Sequence, residues 1–262
     1  MDIQMQRIGR VTRSVRTTAG VAALVLVAAG SADAQMQQWE DTGYFSINYG
    51  YQQGDRAFQE SLTATVYDEP ATYSIEHASI GGGHFDIGGG LRVWRNLAVG
   101  LAVTSFSTSA GALITGTVPH PLFFDRPRTG SAARSDLEHK ELGVHFQAAW
   151  VILLSEKISV TVVGGPSLFT VKQDLITAVA VAEEIGTPFT EVALGTATTT
   201  SASESGVGVN AGVDVTYLVT ERLGGGLFVR WAGGTVDLPA SGGTQSIDVG
   251  GVQAGIGLRV RF

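Results

Sequence analysis

The chain has 262 residues and no cysteine, so in an oxidising compartment it has no disulfide staples, thiolate metal sites or cysteine nucleophile. Acidic residues outnumber basic ones by 24 to 17, and a net charge of −7 gives no support to nucleic-acid binding. Glycine is abundant, at 35 residues, and much of it falls inside alternating segments, where small side chains suit a crowded interior face.

The N-terminal segment carries an address. Arg7, Arg10, Arg13 and Arg16 form a basic region, Ala19 to Ala29 an apolar run, and Ala32-Asp33-Ala34 an A-x-A cleavage site. This is the pattern of a secretory signal peptide read by the Sec pathway, too short and wrongly flanked for a spanning helix. We expect residues 1–34 to be removed and 35–262 to form one domain. Loss of four arginines and two aspartates leaves thirteen basic against twenty-two acidic residues, a net charge of −9. No later stretch approaches the roughly 18–20 apolar residues of a spanning helix. If the mature chain lives in a membrane it does so as a closed barrel, in which every backbone group is paired without an edge.

Alternation of period two, the mark of a strand with two unlike faces, recurs eight times in the sequence. The first run presents Phe45, Ile47, Tyr49 and Tyr51 against Ser46, Asn48 and Gly50. Later runs set Phe85, Ile87, Leu91 and Val93 against His84, Asp86, Gly88 and Arg92, then Leu97, Val99, Leu101 and Val103 against small residues. Leu142, Val144, Phe146 and Trp150 oppose Glu141, Gly143, His145 and Gln147. The second half repeats the scheme from Ile158, from Val207 and from Leu223. The expected strands are 43–51, 81–94, 97–107, 139–154, 158–171, 206–218, 223–232 and 248–262.

Connections between these runs sort into two kinds. Short ones occur at 95–96, 155–157 and 219–222; long ones occupy 52–79, 109–137, 173–204 and 234–246. Strict alternation of short and long is what an up-and-down barrel with short turns at one end and long loops at the other produces. Aromatics add a second pattern: Tyr44, Phe45, Trp94, Tyr217 and Phe262 fall near one rim, and Tyr49, Tyr51, Phe85, Phe106, Phe169 and Trp231 near the other, as in interface girdles.

The last run closes the reading. Ala254, Ile256, Leu258, Val260 and Phe262 alternate with Gly255, Gly257, Arg259 and Arg261, and the chain ends on the aromatic. With Gln253, Gly255, Leu258, Val260 and Phe262 in place, this strand resembles the closing strand of bacterial outer-membrane barrels, which is read by the barrel-insertion machinery. Over residues 41–262 the chain is similar to the eight-stranded family of the OmpA transmembrane-domain and OmpX type. The resemblance implies an all-β, transmembrane, eight-stranded antiparallel up-and-down barrel in the bacterial cell outer membrane. It also implies short periplasmic turns, long extracellular loops, a monomer, no cofactor, and outer-membrane lipid and lipopolysaccharide as surroundings. The chain stops at the last strand, so the peptidoglycan-binding domain of OmpA is not expected, nor a wall-tethering role.

Inward faces collect charge: Asp86, Arg92, Glu141, His145, Asp214, Arg230 and Arg259. Eight strands leave an interior that side chains fill, so charges there must be paired or wetted. We expect Arg92 and Arg259 to meet Asp214 in the periplasmic half, and Arg230 to meet Asp86 and Glu141 in the extracellular half, as a salt-bridged plug. His145 beside Glu141 reads as a hydrogen-bonded filler rather than a base. His77-Ala78-Ser79 matches the His-x-Ser pair of lipid-A esterases of the PagL type, with Glu76 as an orienting group. Ile80-Gly81 follows it, however, where those enzymes have Asn-Ala, and it precedes the second strand rather than lying on a late one. In the second loop, the prolines of 118–128 stiffen a stretch that exposes Phe123, Phe124, Arg126 and Arg128 as candidate contacts for anionic lipopolysaccharide or a protein.

The expected function is therefore a non-catalytic, integral outer-membrane barrel with a structural and surface-interaction role through its extracellular loops. The alternatives are a narrow pore or amphipathic-ligand transport barrel, and then a lipid-A-modifying esterase.

Overall fold

The computed structural model describes residues 38–54, 57–78, 81–183, 189–240 and 243–262; the expected signal peptide lies outside them. Ten strands are present among the described residues: β1 (Gly43–Gln52), β2 (Phe58–Val66), β3 (Glu69–His77), β4 (Gly82–Trp94), β5 (Leu97–Val118), β6 (Arg128–Leu153), β7 (Ile158–Glu183), β8 (Ala193–Leu218), β9 (Leu223–Ala240) and β10 (Gly243–Arg261). Eight of them close a ring in the order β1-β4-β5-β6-β7-β8-β9-β10, every pair antiparallel. The seam is β1 against β10, in register from Tyr44 opposite Arg261 to Gln52 opposite Gln253. Closure leaves no free edge, which is the condition for a sheet to sit in hydrocarbon.

Alternation sorts side chains as the membrane requires. Val99, Leu101, Leu142, Phe146, Leu227, Val229, Ile256 and Leu258 stand exposed on the outer face, while Asn48, Asp86, Glu141, His145, Asn210, Arg230 and Arg259 are buried inside. A soluble barrel has the opposite arrangement. A continuous apolar outer band around a polar interior is stable only against lipid.

The strands run far beyond that band. β6, β7 and β8 each have 26 residues, whereas roughly 9–11 tilted residues cross a bilayer. Above the membrane the polarity of the two faces reverses, and the interior becomes apolar. Phe169, Val171, Leu175, Val236, Leu238, Ile247 and Val249 form one cluster. Leu62, Tyr73, Ile75, Ile114, Leu137 and Ile176 form another. The long connections expected at 109–137, 173–204 and 234–246 are thus mostly strand, and the expected strand ends at 107, 139, 171, 206, 232 and 248 fall well short. Two features hid them. Inward positions such as Ala110, Ala112 and Gly116 are small, so their apolar signal is diluted. Asp136, at φ 64°, sits where β6 changes face, while the β5–β6 pairing shifts register between Ala110 and Ala112, which breaks period two.

The first connection, 52–79, also contains structure. β2 and β3 form a hairpin through Tyr67 and Asp68, both at positive φ (51° and 63°), as a two-residue turn matched to strand twist requires. β3 then pairs with the upper half of β5, Thr72–His77 against Ala112–Thr117, while β4 pairs with the lower half.

Three aromatics assigned to the girdles are corrected. Phe106 and Phe169 are each 2 % exposed and point into the barrel, and Tyr44 also lines the lumen. Height along a strand does not decide direction; parity does. Phe106 shares its face with Ala98 and Ala102, and Phe169 with Ser159 and Ser167.

Candidate functional site

The membrane-level interior is one connected polar column. Arg259 Nε lies 3.1 Å from both carboxylate oxygens of Asp214, and its Nη1 donates to Asn48 Oδ1 at 2.5 Å. Asn48 Nδ2 donates to Asp86 Oδ1 at 2.7 Å. The other Asp86 oxygen takes Arg230 Nη2 at 2.7 Å and the Thr104 hydroxyl at 3.0 Å. Arg230 Nε continues to Gln253 Oε1 at 2.9 Å, and Gln253 Nε2 to Gln52 Oε1 at 2.6 Å. Gln52 reaches Glu141 Oε2 at 3.2 Å, and Glu141 Oε1 meets His139 Nε2 at 2.7 Å. A side branch runs from Thr104 through His145 and Ser167 to Asn210 and Gln147. Each charge has a partner of opposite sign or a charge-assisted hydrogen bond, the condition for keeping it in a low-dielectric interior.

Two of the expected contacts go elsewhere. Arg92 does not join Asp214; its Nη1 donates to the Trp39 carbonyl at 2.6 Å. Glu141 does not meet Arg230, because Gln52 and Gln253 stand between them. Instead it accepts from the Gly250 amide at 3.2 Å and pairs with His139. His145 contacts Ser167 and Thr104 rather than Glu141. His139 was legible in principle, since it lies two residues before Glu141 and so on the same face.

At the short-turn end, Trp39 fills the mouth. It is 1 % exposed and packs on Ala98, Ala149 and Val151. Its indole nitrogen donates to Asp41 at 2.8 Å, and its carbonyl takes Arg92. Arg261 joins this end through the Ser159 hydroxyl and lies 3.9 Å from Asp41. The void between this stopper and the two ion pairs is about 70 Å³, room for a few waters. Trp39→Ala is expected to lower stability by about 2–3 kcal/mol, somewhat below a sealed-core value because the space opens to solvent. A urea titration reads the cost. A change within error would show that Trp39 does not pack the mouth.

Of the His-x-Ser pair, Ser79 lies outside the described residues. His77 is buried, stacks on Phe58 at 4.1 Å between ring centroids and lies 3.2 Å from Glu60. Glu76 is exposed on the opposite face of β3 and is not its partner. Nearby, burial pushes the Tyr73 phenol above its ordinary value. Among the described residues, no three histidine or acidic side chains gather closely enough to hold a metal ion.

The β5–β6 tip is the other distinctive region. Phe123 and Phe124 are 55 % and 74 % exposed, and Leu122 beside them is exposed as well. Arg126 lies 5.6 Å over the Phe123 ring, and the Asp125 amide donates to Glu69 at 3.1 Å. Arg128 is corrected from a contact residue to a clamp: it is buried and donates to the carbonyls of Pro119 and Glu191 at 2.9 and 3.2 Å. In the terminal strand, Leu258 and Phe262 point outward, Val260 lies on the same face, and Gln253 and Gly255 point into the lumen.

A closed ring of eight up-and-down strands, apolar outside and polar inside, with short turns at one end, defines a transmembrane β-barrel of the bacterial outer-membrane type. Solved structures similar to the chain are outer-membrane proteins. OprG from Pseudomonas aeruginosa has 10 % identity over 85 % of this chain and 97 % of that one, with TM-score 0.45. Neisserial surface protein A has 13 % identity over 84 % and 97 %, with TM-score 0.35. The protease OmpT from Escherichia coli has 10 % identity over 88 % and 100 %, with TM-score 0.44. No protein-family model matches the sequence, and no curated protein does.

Proposed function

We propose that this protein is a non-conducting, non-catalytic outer-membrane barrel, exported through the Sec pathway and acting as a monomer, that presents a rigid surface projection for contact with a partner. The observation that carries the reading is the β5–β6 tip. Leu122, Phe123 and Phe124 stand exposed at the end of a strand pair that rises well clear of the apolar band. An exposed apolar cluster is costly in water and marks a binding surface. Pro119, Pro121 and Pro127 stiffen it, and the Arg128 clamp and the Glu69 contact hold its base. Little ordering entropy is then lost on binding, and rigid aromatic anchors beside an arginine are the usual centres of an interface.

The column of paired charges and the Trp39 stopper support a filled lumen over the narrow-pore alternative. In the lumen His145 does hold the Ser167 hydroxyl at 2.8 Å, but both side chains are almost fully buried among packed neighbours, where no lipid ester reaches them, and this speaks against the esterase alternative.

The tip is tested with whole cells displaying the barrel. Phe123→Ala with Phe124→Ala is expected to weaken attachment to the partner surface at least about 30-fold, in line with hot-spot losses of 2 kcal/mol or more. Folding, read by heat-modifiable gel mobility, should be unchanged. Attachment equal to wild type would refute the tip as the contact surface. Reproducible single channels from the refolded protein in a planar bilayer would overturn the filled-lumen reading.

A further inference from the structure

The chain has three lysines, Lys140, Lys157 and Lys172. Two of them, Lys140 and Lys172, are direct register partners on the outward faces of β6 and β7. Their setting is layered across four neighbouring strands. The lowest row, Val103, Val144, Leu168 and Val207, is the top of the apolar band. The row above it is Ser105, Leu142, Thr170 and Ser205, mostly hydroxyls, with Thr170 and Ser205 3.0 Å apart. Next comes Ser107, Lys140, Lys172 and Ser203. Above the lysines, Glu138 contacts Lys140 and lies 3.8 Å from Lys172, and its amide donates to Asp174 at 3.1 Å.

From this order we propose that the Lys140–Lys172 pair, with the hydroxyl row beneath it, binds the phosphate of a lipid-A-type glycolipid in the outer leaflet. The apolar band is where acyl chains end, so the next two rows lie at headgroup height. Serine and threonine hydroxyls offer donors to sugar and phosphate oxygens. Two ammonium groups just above them supply the charge an anionic headgroup requires. Both lysines are about half exposed, at 48 % and 49 % of their side chains. A groove of about 260 Å³ lies over Ser105, Ser107, Lys140, Leu142, Thr170 and Lys172. Further round the ring the outer face carries the opposite sign: β9 and β10 present Asp237 and Asp248 outward. The attraction is therefore local to one side of the barrel. Glu138 holds the lysines in the lipid-free state and competes with the phosphate. The proposal rests on the membrane reading and does not depend on the tip.

The test uses the full mature barrel in lipid nanodiscs, titrated with lipid A, with its dephosphorylated form, and with inorganic phosphate. Lys140→Gln with Lys172→Gln is expected to weaken lipid A binding at least about tenfold at low salt, with the difference shrinking as salt screens exposed charge. Glu138→Gln is expected to tighten it about threefold, since it removes the competing carboxylate. Lys157→Gln, at a short turn on the far side, is expected to leave it unchanged. Dephosphorylated lipid should bind as weakly as the double variant. The proposal is overturned if the double variant binds lipid A like wild type, if the dephosphorylated lipid binds equally well, or if inorganic phosphate alone binds as tightly. Failure of the wild-type barrel to insert, read by gel mobility, would remove the membrane reading and this proposal together; insertion with reversed affinities removes the proposal alone.

Discussion

Arg230→Ala is expected to destabilise the refolded barrel by about 3–5 kcal/mol, because it strands a buried carboxylate. Arg230 is the hub of the luminal column. It holds Asp86 at 2.7 Å, Thr104 at 2.6 Å and Gln253 at 2.9 Å, and both Arg230 and Asp86 are almost fully buried. Without the guanidinium, Asp86 keeps only Asn48 and Thr104 as neutral donors. Replacing both charges, with Arg230→Met and Asp86→Leu, should recover much of the loss, since no unpaired charge then remains. Urea unfolding in lipid vesicles, followed by tryptophan fluorescence, of wild type, Arg230→Met, Asp86→Leu and the double variant closes the cycle, with Arg230→Ala read beside them. A loss below about 1 kcal/mol for Arg230→Ala would mean that luminal water solvates Asp86 by itself, and the paired column would not be what stabilises the interior.

Gly257→Val is expected to prevent closure of the barrel. Gly257 lies on β10 directly opposite Asn48 of β1, at the seam. A β-carbon there would lie 2.8 Å from Asn48 Cα and press on the Ile47 carbonyl oxygen and Asn48 Oδ1. These are seam atoms, mostly backbone, so they cannot yield without parting the β1–β10 pairing. Asn48 also bridges Arg259 to Asp86. Overpacking in a closed core costs about 1–3 kcal/mol or more, and here the cost falls on the one pairing that removes both sheet edges. The variant should show little or no heat-modifiable form on gels. Gly225→Ala is the control: a β-carbon there meets nothing nearer than the Gly257 carbonyl oxygen at 3.7 Å, and folding should be normal. Normal folding of Gly257→Val would show that the seam tolerates a wider spacing than its register implies.

The ring itself was largely legible in the chain. Eight alternating runs, three short connections and the terminal aromatic strand each state a local rule, and the rules agree. What misled was the assumption that a run ends where its large apolar residues end. Ala110, Ala112 and Gly116 continue β5 inward with small side chains, and the change of face at Asp136 reads as noise in a period-two search. The inward charges were legible as a set, because parity alone puts Asp86, Glu141, Arg230 and Arg259 on the inner face. Their partners were not. Whether Glu141 meets Arg230 or His139 depends on the stagger between strands, and Gln52 and Gln253 intervene only once the seam is closed. Trp39 gave no signal, since it precedes the first alternating run.

By itself the sequence determined an eight-stranded alternating chain, lipid-facing on one side and polar on the other, because side-chain direction in a strand follows from residue parity. Only the tertiary structure decided how tall the barrel stands, which charges pair inside it, and that Arg128 clamps while Phe123 and Phe124 project. It also brought Lys140 and Lys172 side by side across 31 intervening residues. Those outcomes depend on register and closure, which bring together residues far apart along the chain and which no local pattern encodes.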